Sequence, residues 1–164
     1  MSKAFTRESD DSGADETPMV RRALPAGTRN YITPEGAERL RQRMNALLER
    51  KQSLRAAAGE GGTTAEADER KLAAAIYSLE QVLGSVVVPG IPEDRGKVAF
   101  GATVVIRRGD GEEERYRIVG VDEAEPENGA ISWISPLARA LLTRRAGEKV
   151  RFREEELTIL SVGY

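Results

Sequence analysis

Residues 131–142 read ISWISPLARALL, and this stretch combines an apolar strand with the start of a short helix. Proline has a fixed φ and no backbone N–H, so Pro136 suits the first position of a helix. Ser135 suits the N-cap before it, because its hydroxyl can accept a hydrogen bond from the first helical turn. The stretch therefore predicts a strand over residues 130–134 and a helix from Pro136 to Leu142.

Outward from this stretch, residues 96–164 have the pattern of a small β-rich domain. An apolar run over 98–106 is followed by GDG at 109–111, which is typical of a hairpin turn, and by a return strand over 115–119. PENG at 126–129 predicts a further turn, and the last strands are predicted over 150–152 and 157–162. We expect an antiparallel sheet with one short helix.

Upstream, residues 31–88 change to a helical period. Thr33 and Pro34 predict a helix start, GEGG at 59–62 interrupts the helix, and a second helix is predicted to begin at Thr63 or Thr64. The apolar positions follow a heptad, namely Ala37, Leu40, Met44, Leu47 and Leu54, then Leu72, Ile76, Leu79 and Leu83. The pattern predicts an antiparallel coiled-coil hairpin ~30 Å long. The alternative is a pair of helices within a compact bundle, but the sequence shows no third helix for one.

The remaining segments have few apolar residues. Residues 1–30 carry an acidic cluster and cannot bury enough surface to offset the entropy of ordering, so they predict a disordered tail. Such a tail is either a solubilising extension or a docking segment. Residues 89–95 contain two prolines and a glycine and predict a linker between the hairpin and the β-rich domain.

Composition excludes several classes of function. The chain has 164 residues, a net charge of −2, no cysteine and no histidine. Disulfides, Ser/His triads and zinc sites of the usual ligand types are therefore excluded, and tight binding of duplex DNA by this chain alone is not expected. No stretch approaches the ~20 apolar residues of a membrane span, and the N-terminus lacks a signal core, so we expect a cytoplasmic protein.

Several motifs, in order over about residues 33–164, resemble the bacterial GreA/GreB transcript-cleavage and elongation factors. They are the run from Thr33 through GAERL at 36–40, FGATV at 100–104, YRIVG at 116–120 with Asp122–Glu123, and the Ser–Pro run at 131–141. The resemblance implies an α+β protein with a coiled-coil hairpin and an FKBP-like domain. It also implies a monomer that is not itself an enzyme and acts through RNA polymerase, meeting DNA and nascent RNA only indirectly. The domain would dock at the entrance of the polymerase secondary channel, and the hairpin would enter that channel.

In the family, two acidic residues at the hairpin tip help to hold a catalytic magnesium in the polymerase, since carboxylates are hard oxygen ligands. Here Glu60 takes the place of one acid and Thr63 that of the other, although Thr63 is more simply a helix cap. Each arm is also about one heptad shorter, which would set the tip ~10 Å back. We therefore expect weak or no stimulation of RNA cleavage, Glu60 as a weak candidate for magnesium assistance, and no metal or cofactor of the chain's own.

The start of the second helix offers replacement acids, Glu66 and Asp68. Acidic side chains in a first turn also favour the helix dipole without any further role, and this is the commoner explanation.

The predicted polymerase-binding residues lie in the β-rich domain. Ser132, Ser135 and Pro136 match the family's docking run, whereas Ile134 stands where the family usually has Asp or Asn. The pair Asp122–Glu123 is either part of the docking face or a solvated turn. Ser135 and Pro136 also serve as the cap and first residue of the helix, and this second role would fix the surface that docks.

One side of the first helix is basic. Arg39, Arg43, Arg50 and Arg55 lie largely on this side and form a stripe that would suit the phosphates of RNA in the channel. The alternative is a solvated helix face whose arginines pair with acids such as Glu38 and Glu49. No aromatic residues interleave these positions, so a base-stacking platform is not expected.

Two rival functions follow from the same sequence. The first is a polymerase-binding regulator that acts at initiation, similar to the short-hairpin Rnk-like proteins. The second is a prolyl isomerase, but an FKBP-like fold does not imply that activity, and the sequence shows no isomerase pocket.

Overall fold

The computed structural model describes residues 24–57 and 63–164, and it confirms the predicted α+β class. The helices are α1 (Pro34–Ala57), α2 (Thr63–Leu83) and α3 (Pro136–Leu141). The strands are β1 (Asn30–Tyr31), β2 (Val86–Val87), β3 (Thr103–Arg107), β4 (Glu113–Val119), β5 (Ala130–Ser132), β6 (Lys149–Phe152) and β7 (Glu155–Gly163). No helix within the described ranges is long and apolar enough to cross a membrane.

The two long helices pack together and run in opposite directions. Arg55 near the end of α1 lies 3.7 Å from Glu69 near the start of α2, and β1 before α1 pairs with β2 after α2. Their shared core includes the fully buried Leu47 and Leu72, as the heptad pattern predicts. Coiled-coil geometry itself stays a prediction.

The start of α1 is as the sequence predicts. The Gly36 N–H donates to the Thr33 hydroxyl at 3.0 Å, and the Ala37 N–H donates to the Thr33 carbonyl at 2.9 Å. The Thr33 hydroxyl therefore satisfies one donor that the first helical turn leaves without a partner, and its carbonyl accepts the first intrahelical bond.

The five-stranded sheet has the order β5-β4-β3-β7-β6. Its pairs are antiparallel except β4–β5, which is parallel, so the prediction of a purely antiparallel sheet is wrong. The reason is a second reversal: 3₁₀ turns at Val121–Glu123 and Pro126–Asn128 return the chain to the level of Arg117 before β5 begins. The sequence predicts the later turn and offers a turn at Asp122–Glu123 only as one of two interpretations.

One face of the sheet carries the second core, against α3. Ile106, Ile118, Leu141, Leu157 and Ile159 are all fully buried there. As predicted, α3 is short and is capped by Ser135, whose hydroxyl accepts from the Ala138 N–H at 3.2 Å, and it begins at Pro136. It ends at Leu141, one residue earlier than predicted.

Two further segments are predicted to lie outside the hairpin and the β-rich domain, namely the N-terminal tail and the linker. Most of the predicted tail, residues 1–23, lies outside the described residues, whereas Asn30 at its end is buried and belongs to β1. The predicted linker, residues 89–95, contains no helix or strand.

Candidate functional site

The Ser–Pro segment forms a tight turn between β5 and α3, which we call the docking turn and define as residues 132–136. The Trp133 N–H donates to the Val119 carbonyl at 2.9 Å, and the Ser135 N–H donates to the Ser132 carbonyl at 2.9 Å. Ser132, Ile134 and Ser135 are half-buried and Pro136 is exposed. The turn is thus held from β4 on one side and from α3 on the other, and it presents a fixed surface.

Glu123 lies in the 3₁₀ turn after β4, and its side chain is 5 % exposed. One carboxylate oxygen accepts from the Thr33 N–H at 2.8 Å and from the Gly120 N–H at 3.0 Å. The other accepts a short hydrogen bond from the Thr33 hydroxyl and pairs with Arg39 at 3.3 Å. A solvated turn is therefore the wrong interpretation for Glu123, while the polymerase contact predicted for it and for the half-buried Asp122 stays a prediction.

This carboxylate joins the helices to the sheet. Thr33 and Glu123 are 90 residues apart in the sequence, and the reading of Thr33 as a cap did not anticipate the contact. In the sequence, the only hint is the glycine at the end of the apolar run, Gly120. In the structure, a Cβ at this position would overlap the Tyr31 carbonyl. Glycine at that position allows the two parts of the chain to approach closely.

Aromatic rings add to this contact between the helical part and the sheet. We call the contact the joint and define it by Tyr31, Thr33, Arg39, Gly120 and Glu123. The Tyr31 ring centroid lies 5.1 Å from that of Trp133 and 5.6 Å from that of Phe100, both in tilted arrangements. The indole Nε1 of Trp133 is buried and has no hydrogen-bond partner among the described residues. Trp133 therefore belongs to the docking turn and also packs against Tyr31, in the segment that leads into α1.

The four predicted basic residues of α1 all have partners. Arg39 pairs with Glu123 and Arg55 pairs with Glu69, while Arg43 and Arg50 also make polar contacts. Glu38, an expected partner of this face, pairs instead with Arg41 at 3.5 Å. The proximity of this face to RNA stays a prediction.

The predicted magnesium-assisting residue at the hairpin tip, Glu60, lies in segment 58–62, which is outside the described residues. Among the described acids, Glu66 pairs with Arg70 at 3.3 Å and Asp68 pairs with Lys71 at 3.8 Å. In the part of the chain that is described, no group of three or more potential metal-ligating side chains occurs.

Glu35 in α1 forms an ion pair with Arg117 in β4, so the stability that this contact adds should depend on pH. Hydrogen bonding to the backbone at the start of α1 lowers the pKa of its carboxyl from the ordinary value of 4.5, and the Arg117 guanidinium, at 2.9 Å, lowers it further. A carboxyl whose pKa is depressed by folding adds stability above its unfolded pKa, and this stability is lost as the pH falls through the folded pKa.

We expect Glu35→Gln to be less stable than the original chain at about pH 6, and this difference to shrink once the pH falls below about 4.5 and to vanish only below the lowered pKa of Glu35 in the folded chain. Urea unfolding of both proteins across this range measures it. A stability difference that does not change with pH would contradict the prediction.

Comparison with known proteins gives the family. Residues 92–164 match the description "Transcription elongation factor, GreA/GreB, C-term". GreB of Neisseria meningitidis serogroup A is 38 % identical over 155 residues, covering 84 % of this chain and 95 % of that protein. GreB of Pseudomonas aeruginosa is 37 % identical over 141 residues, covering 78 % of this chain and 83 % of that protein. GreA of Chloroflexus aurantiacus is 39 % identical over 152 residues, covering 80 % and 96 %. The chain belongs to the GreA/GreB family of transcription elongation factors.

Proposed function

We propose that this chain binds RNA polymerase at the secondary channel and regulates elongation, with weak or no stimulation of RNA cleavage. The observation that carries the proposal is the docking turn. Its Ser132, Ser135 and Pro136 are the residues in which the chain resembles the family's polymerase contact, and they lie on a surface braced by β4 and α3. The protein acts through polymerase, as a monomer without enzymatic activity or a cofactor of its own.

The shape of the chain supports insertion into a channel. We propose that α1 and α2 form an antiparallel coiled-coil hairpin and that the β-rich part has an FKBP-like fold. The fully buried seam residues Leu47, Leu72 and Leu79 support the first statement. With 24 residues, α1 is about 36 Å long.

The expectation of weak cleavage rests on the tip and on the length of the arms. The match to the Neisseria meningitidis GreB runs over 155 residues but covers 84 % of the 164 residues here, about 138. The difference, about 17 positions, is close in size to two heptads, or about 14 residues, which is the shortening that we propose for the arms. Glu66 and Asp68 pair with neighbouring cations, which favours a helix-terminal role for them over replacement of the tip acids.

The test is RNA cleavage in a backtracked elongation complex of the cognate polymerase, with binding measured in parallel and a GreB relative as reference. We expect binding with little or no acceleration of cleavage. We also expect Thr63→Glu not to accelerate cleavage, because a new carboxylate on a shortened hairpin would still lie too far from the polymerase magnesium. Acceleration comparable to that of GreB would refute the short-arm argument. Failure to bind would refute the proposed function.

The same experiment separates the initiation regulator. If the chain binds polymerase and changes promoter-dependent synthesis but has no effect on halted complexes, its function is that of the Rnk-like alternative.

A further inference from the structure

We propose that Glu123 is a positioning residue that fixes the orientation of the helix pair relative to the sheet. The two hydrophobic cores, one between α1 and α2 and one between the sheet and α3, share no residue. Orientation therefore depends on the joint between them, which includes the polar contacts of Glu123 and the ring of Tyr31.

The Glu123 carboxylate receives donors from both sides of this joint. The Thr33 N–H, the Thr33 hydroxyl and Arg39 belong to the helical side, and the Gly120 N–H belongs to the sheet. Hydrogen bonds to a charged acceptor are stronger than neutral ones, and four of them in different directions allow one carboxylate position. The ion pair Arg117–Glu35 is largely exposed and contributes less.

Two glycines make room for the carboxylate and for the close approach of the two parts. A Cβ at Gly36, in the first turn of α1, would overlap the Glu123 carboxylate, and a Cβ at Gly120 would overlap the Tyr31 carbonyl. Both glycines permit an approach that any larger residue would prevent. The packing of the joint therefore depends on two glycines that leave space for the carboxylate and for the close approach of the chain beside it.

Small changes at the joint become large at the far end of the helices. For a helix about 36 Å long, a rotation of about 10° at its base moves the other end by about 6 Å. Magnesium–oxygen distances are ~2.1 Å, so a displacement of this size decides what the tip can reach. This consequence rests on the proposed function, whereas the positioning role of Glu123 does not.

The test measures the distance between two spin labels in the full chain. The sequence has no cysteine, so Gln52→Cys on α1 and Ser161→Cys on β7, both exposed positions, give two labels without background. We expect one narrow distance distribution for the original chain. Glu123→Gln replaces part of the acceptor by a donor, and we expect it to shift the distribution by about 5 Å or to broaden it correspondingly.

Two further variants separate positioning from general stability. Gly36→Ala displaces the carboxylate without changing any charge, and we expect it to reproduce the effect of Glu123→Gln. Glu127→Gln removes an exposed carboxylate from the same connection and should leave the distance unchanged. Unchanged distances in both Glu123→Gln and Gly36→Ala would overturn the inference, even if the melting temperature falls.

Polymerase binding distinguishes this inference from the proposed function. If Glu123 positions the helices, Gly36→Ala, which leaves every predicted polymerase-binding residue in place, should keep the affinity for polymerase within about twofold and lose the effect on elongation. A large loss of affinity in Glu123→Gln with unchanged label distances would instead make Glu123 a direct contact and overturn the positioning role. If the original chain does not bind polymerase, the proposed function fails, and the label distances still decide the role of Glu123.

Discussion

Replacing Ile134 by Lys is expected to weaken binding to RNA polymerase by about 30-fold, equivalent to about 2 kcal/mol. Ile134 is half-buried in the middle of the docking turn, between Ser132 and Pro136. A lysine there would place a hydrated charge at the centre of the proposed interface, where desolvation is most costly. Titration of labelled polymerase with each protein measures the affinity.

The matched control for this change is Ser161→Lys. Ser161 is exposed on β7, which is separated from β5 by two strands, and the substitution adds the same charge. We expect its affinity to remain within about twofold of the original. Equal losses in the two variants would indicate a general effect of charge, and an unchanged affinity in Ile134→Lys would remove the docking turn from the interface.

Replacing Leu47 by Ala is expected to lower the free energy of unfolding by about 2–5 kcal/mol. Leu47 is fully buried in the seam between α1 and α2, where its truncation removes apolar contacts and leaves a cavity. The loss is a large part of the stability of a typical domain. Urea unfolding followed by circular dichroism at a helical wavelength measures it.

The adjacent residue provides the control. Leu48 is 41 % exposed on the same helix, so Leu48→Ala removes a side chain of equal size from a site that water already reaches. We expect a change of less than about 1 kcal/mol, since alanine also has the higher helix propensity. Similar losses for Leu47→Ala and Leu48→Ala would show that the seam is not where the structure places it.

Local chemistry explains which elements the sequence predicts well. The starts of α1 and α3 depend on a hydroxyl and a proline within four residues, and the hairpin between β3 and β4 depends on a glycine-rich turn. The heptad spacing likewise places Leu47 and Leu72 in a shared core. Each of these features is decided by residues close in sequence or by a simple period.

Contacts between distant residues explain what the sequence does not predict. The parallel pairing of β5 depends on the turn at Val121–Glu123, and the Glu123 carboxylate makes contact with Thr33, 90 residues earlier. A glutamate beside an aspartate in a turn looks solvent-exposed when only its neighbours are considered. Its burial becomes visible only when the helical part is placed against the sheet.

The position of Trp133 gives the protein a built-in optical reporter. It is the only tryptophan in the sequence, its indole N–H is buried among the described residues without a partner, and it packs against Tyr31. Tryptophan emission depends on the polarity around the indole ring. The wavelength and intensity of Trp133 emission should therefore change when the docking turn is covered or when the helices move relative to the sheet. Either change can be followed in real time without a label.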